Sequence, residues 1–173
     1  MLWTFVGAVM TAVLAASVAF IVSRQTGRNI RWLIPVSAGA AMLGFTMWND
    51  YTWFSRTRDA LPESFVVTAE VESSLAIQPW TLAAPAVVGF ATLDTASVRR
   101  HSDHPGFALA DLYILQRYAP TRVAVQLIDC AGSRRADVPG NAAFGEDGLP
   151  VGLGWIDLSA DDPLIRAACG ASG

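Results

Sequence analysis

The chain has 173 residues, 53% of them apolar, with twelve basic side chains other than histidine, all arginine, against fifteen acids. The lack of lysine excludes a Walker A phosphate loop, a pyridoxal Schiff base and a Ser-x-x-Lys nucleophile. All fifteen acids lie at or after Asp50, so the formal charge is +3 over the first 49 residues and −6 over the remaining 124. An acidic water-facing part repels phosphate backbones and argues against nucleic acid as a partner.

The first element is an uncharged run of 21 residues, Leu2 to Val22, and about 20 apolar residues suffice to cross a bilayer core. A second uncharged run, Trp32 to Trp48, continues through Asn49-Asp50-Tyr51-Thr52-Trp53-Phe54 into an interfacial zone. Inside hydrocarbon every backbone polar group must be paired within its own segment, so both runs are predicted to be helical. Pro35 is compatible, because it falls in the first turn, where its missing N–H has no partner to lose. The reading is a transmembrane hairpin over residues 1–54, with spans at about 2–22 and 32–50 and a connector at 23–31. Trp3, Trp32, Trp48, Tyr51 and Trp53 lie near the span ends, as interfacial anchors do.

The connector carries Arg24, Arg28 and Arg31 and no acid, which favours keeping it in the cytoplasm. Both termini are then expected in the periplasm of a bacterial inner membrane, the arginine-only composition matching a GC-rich bacterial genome. A cleaved signal peptide would need a basic segment before its apolar run, and no basic residue precedes Arg24. Small residues recur every four positions on the spans: Gly7, Thr11 and Ala15 on one line, Ala8, Ala12 and Ala16 on another, and Ser37 with Ala41 and Ala40 with Gly44 on the second helix. This spacing lets membrane helices approach closely, within the hairpin or against other integral membrane subunits.

Residues 55–173 are predicted to form a small β-rich α+β extracytoplasmic domain with a mainly antiparallel sheet. Phe65, Val67, Ala69 and Val71 alternate with more polar neighbours, the period of a half-buried strand. The uncharged stretch from Ser73 to Leu93 contains Pro79 and Pro85, which oppose a third span. It reads as a buried connection, or as an apolar patch resting on the bilayer or on another membrane protein, leading into a strand at Val87–Leu93. Asp111–Tyr118 and Arg122–Asp129 are predicted to pair as a hairpin through Ala119-Pro120-Thr121. Arg99-Arg100 and Arg134-Arg135 read as solvated loop charges, and Gly140 to Gly154 as a flexible surface loop. A short strand at Trp155–Leu158 precedes a C-terminal helix with Ser159 or Asp161 as cap, Pro163 in its first turn, and Leu164, Ile165 and Ala168 facing inward.

Two groups of residues carry chemistry. Cys130 and Cys169 fit no redox pair, zinc spacing or haem attachment site, and in an oxidising compartment they are expected to form a structural disulfide. His101, Asp103 and His104 supply donors for zinc or copper, but the bland reading is a polar turn marked by Pro105-Gly106. No nucleophile elbow or privileged carboxylate pair is present, no cofactor is expected, and nothing specifies a small-molecule ligand. The leading expectation is a non-catalytic accessory subunit or assembly factor of a larger inner-membrane complex. A membrane-tethered periplasmic sensor or binding module, with metal as one candidate ligand, is the alternative, and an envelope hydrolase of unfamiliar type a third reading.

Overall fold

The computed structural model describes residues 2–26, 32–74, 76, 78–145 and 148–170. Arg28 and Arg31 of the connector and the side chain of the expected anchor Trp3 lie outside the described residues. In chain order the elements are α1 (Leu2–Gln25), α2 (Leu33–Asp59), β1 (Phe65–Ser73), α3 (Trp80–Ala83), β2 (Ala86–Asp94), a 3-10 turn (Thr95–Ser97), β3 (Arg99–Arg100), β4 (Phe107–Gln116), β5 (Ala119–Asp129), β6 (Arg134–Asp137), β7 (Trp155–Asp157) and α4 (Pro163–Gly170). They divide into a helical unit, Met1–Trp53 with Ser74–Ala86, and a sheet unit, Phe54–Ser73 with Val87–Gly173.

In the helical unit, Thr4–Gln25 within α1 is the one described helix long and apolar enough to cross a membrane. Over its 27 residues α2 is more mixed: Leu33–Trp48 is uncharged, whereas the last third carries Asp50, Arg56, Arg58 and Asp59. The stretch Ser74–Ala86 groups with these helices, although the sequence places it in the β-rich domain.

The sheet unit is one sheet in the order β1-β2-β4-β5-β6-β7, with β3 pairing to β4. The ladders β2–β4, β3–β4, β4–β5, β5–β6 and β6–β7 are all antiparallel. Their register decides the faces, because side chains alternate along a strand. Leu93 stands opposite Leu112, Leu112 opposite Ala124, Ala110 opposite Gln126, and Ile128 opposite Arg135. These positions share one face, and α4 packs Leu164, Ile165 and Ala168 against Leu93, Ala110, Leu112 and Ile128 to make the core. On the opposite face the ring of Phe90, 1% exposed, meets Phe54 edge-on at 5.1 Å, and Phe65 meets Tyr113 at 5.0 Å.

The predicted antiparallel sheet, the strands at 65–72, 87–93 and 155–158, and the C-terminal helix are all present. The hairpin is corrected: its turn is Arg117-Tyr118, and Gln116 pairs directly with Ala119. Ala119-Pro120-Thr121 is therefore strand. Proline is tolerated there because β6 pairs with β5 only over Gln126–Asp129, so no ladder on that side needs its N–H. Both arginine pairs are strands as well, β3 and β6. The α4 cap is Asp162, whose Oδ1 accepts from the Leu164 N–H at 2.8 Å, while Ser159 Oγ instead accepts from Asp161. Phe144 and Pro150 form an isolated antiparallel bridge, and Gly148 takes a φ of 72°, a left-handed conformation that suits glycine.

Candidate functional site

Four places bring chemically distinctive side chains together, and the first is the helix surface. On α1, Gly7, Ala8, Thr11, Ala12, Ala15, Ala16 and Ala19 are all wholly or partly covered, while Phe5, Val9, Met10, Val13, Leu14 and Val18 are exposed. The two small-residue lines thus form a single face, turned toward α2. A Cβ on Gly7 would lie 2.7 Å from Phe45 Cζ, so glycine is what lets the ring seat there. Ala40 and Gly44 sit on the other side of α2. Both are exposed, and a Cβ on Gly44 would meet nothing within 4 Å. The spacing was legible in the sequence, but it did not distinguish the self-packed face from the open one.

The second place is the end of α2. Asp50 is only 2% exposed, and its Oδ2 accepts from Trp80 Nε1 at 3.1 Å. One helical position on, the Tyr51 hydroxyl donates to the Ala84 carbonyl at 2.7 Å and lies 3.3 Å from the Trp80 carbonyl. Two consecutive polar side chains thereby hold the short α3, which buries Thr81 and leaves Leu82 exposed. Of the other expected anchors, Trp32 and Trp48 are exposed and Trp53 is half-buried.

The third is the histidine turn. His101 Nδ1 accepts from the backbone N–H groups of Asp103 and His104, each at 3.2 Å, and the two imidazoles lie 5.2 Å apart. His101 therefore uses one ring nitrogen to cap its own turn. Among the described residues no group of three His, Cys, Asp or Glu side chains is arranged to hold a metal ion. Beside this turn, Cys130 and Cys169 form a disulfide joining the end of β5 to α4, and Arg100 donates to the Cys169 carbonyl at 2.9 Å.

Directly before Cys130, buried Asp129 organises the β5–β6 turn. Its Oδ1 accepts from the N–H groups of Ala131 and Gly132 at 3.1 and 3.0 Å, and its Oδ2 from Arg134 Nε at 2.8 Å. Burial by itself would raise this carboxyl, but the bonds from Gly132, Arg134 and Ala131 outweigh it and hold the group below the ordinary carboxylate range.

The fourth place is a cavity of about 520 Å³ lined mainly by the α4-bearing face of the sheet. It exists because α4 is short. Eight helical residues reach about 12 Å, whereas a strand as long as β4 runs about 34 Å, so part of the face stays uncovered. Ala91, Ile114 and Ala124 line the open part, with Ala69 and Val71 from β1. At one end lie Gln126, 1% exposed, Arg135 and Asp137. The Gln126 amide donates to Asp137 Oδ1 and accepts from Arg135 Nη1 at 3.1 Å. Sequence reading missed this cluster because Arg135 and Asp137 sit in a polar segment whose strand character comes only from its pairing with β5.

No family model, curated protein or solved structure matches this chain. The residues themselves describe a membrane-associated protein with a folded domain stabilised by a disulfide.

Proposed function

We propose that the protein is a non-catalytic accessory or assembly subunit of a larger bacterial inner-membrane complex, with its disulfide-bonded domain in the periplasm. In this reading α2 returns across the bilayer beside α1, and the arginine-bearing connector stays in the cytoplasm. The carrying observation is the outward face of α2. Val36, Ala40, Leu43, Gly44 and Met47 are exposed there, while the opposite face of the same helix is consumed by α1. Small residues between larger apolar ones admit the backbone of another membrane helix. The disulfide agrees with an oxidising compartment.

The test is purification of the tagged chain from native membranes in a mild detergent, with native sizing and mass spectrometry. A stoichiometric integral membrane partner is expected, lost when Ala40→Leu and Gly44→Leu are combined while the chain still inserts and folds. A chain that runs alone in every mild detergent refutes the reading.

A further inference from the structure

We infer that the sheet-face cavity is a binding site for an amphipathic monocarboxylate, a free fatty acid of medium chain length. The volume of about 520 Å³ lies in the range of small-molecule sites. Its walls are apolar and made of small or branched side chains, Ala69, Val71, Ala91, Ile114 and Ala124, which leave a trough that larger residues would have filled. Such a surface takes a hydrocarbon chain without asking for any directional contact.

The polar end fixes the sign of the head group. Two arginines and one aspartate line the cavity, a local charge of +1 in a part of the chain that carries −6 after residue 49. Arg135 is positioned rather than loose, because Nη1 is bonded to Gln126 Oε1, and Gln126 is buried and held in turn by Asp137. A guanidinium has five donors in a planar fork that matches a carboxylate, and the Gln126 bond occupies only one edge of it. Asp137 competes weakly for that fork. Its side chain is 72% exposed, its oxygen is 3.9 Å from Arg135 Nη1, and the pair is screened by water. At the rim, Arg117 lies 5.0 Å over the Tyr118 ring, placing the second cation by the turn between β4 and β5. A neutral alcohol of the same chain length would gain the trough but not the fork.

The experiment uses the full chain in phosphatidylcholine nanodiscs, photolabelled with a diazirine-bearing decanoic acid or with the matching decanol. Labelled residues are mapped by mass spectrometry. The acid is expected to label β1 and the β4–β5 hairpin, in competition with plain decanoate. That labelling should fall at least tenfold with Arg135→Gln and with Val71→Trp, an exposed rim position whose change leaves the core intact. Labelling confined to α1 and α2 would mean partition into the bilayer only and would overturn the inference. Equal labelling of the sheet by acid and alcohol, or no effect of either substitution, would overturn it as well.

Discussion

Replacing both Cys130 and Cys169 with alanine removes the link between β5 and α4, and its cost follows from the chain closed by the bond. The two residues are 39 apart. Loop-closure entropy of 2.1 + 1.5R ln n then comes to about 13 cal/mol/K, or about 4 kcal/mol at 25 °C. For a sheet unit of roughly 110 residues, at about 2.1 cal/mol/K of unfolding entropy per residue, that corresponds to a fall in Tm of about 17 °C. The assay is thermal melting of the full chain in detergent, followed by far-ultraviolet circular dichroism, with and without reductant for the wild type. Hydrogen exchange at residues 164–169 adds a local readout. Arg100 and the apolar contacts of Leu164, Ile165 and Ala168 still hold α4, so the fold should persist with its last helix exchanging fastest. A fall of less than about 4 °C, near 1 kcal/mol, would refute the reasoning. So would faster exchange spread evenly over the sheet.

Two further outcomes are expected. The Asp129 carboxyl is held below its unfolded value, so its contribution is complete above about pH 4 and is lost as pH falls through the lower folded value. Asp129→Asn should cost about 1.5–3 kcal/mol at pH 7 by weakening charge-assisted bonds. It should also flatten the stability profile below pH 4, both checked by urea midpoints; an unchanged acid limb would count against the assignment. In the helical unit, Gly7→Ala drives a methyl into Phe45 and should destabilise the packing of α1 on α2 by about 1–3 kcal/mol. Phe45→Leu in the same chain should recover much of that loss, read as thermal stability of the detergent-solubilised protein. Failure of the second change to compensate would place the strain elsewhere.

The sequence alone determined the parts that depend on local composition. An uncharged run of 21 residues is a helix because nothing else satisfies its backbone in hydrocarbon, and α1 follows. Alternation at Phe65–Val71, the apolar run at Val87–Leu93, and Leu164, Ile165 and Ala168 after Pro163 were each readable from their period. Two cysteines at the ends of neighbouring elements sufficed to predict their bond.

Tertiary structure decided whatever depends on a partner distant along the chain. Arg134–Asp137 is polar apart from the buried Ala136 and becomes a strand only because β5 offers it a ladder. The hairpin turn fell on Arg117-Tyr118 because pairing register, not proline, set it. The four-residue spacing could not say that both lines on α1 face Phe45's helix, nor that Ala40 and Gly44 on α2 face away. The cavity was invisible for the same reason: it is the part of a sheet face that α4 is too short to cover. Gln126, Arg135 and Asp137 meet there because antiparallel register places them side by side on that face, a relation that no run of consecutive residues contains.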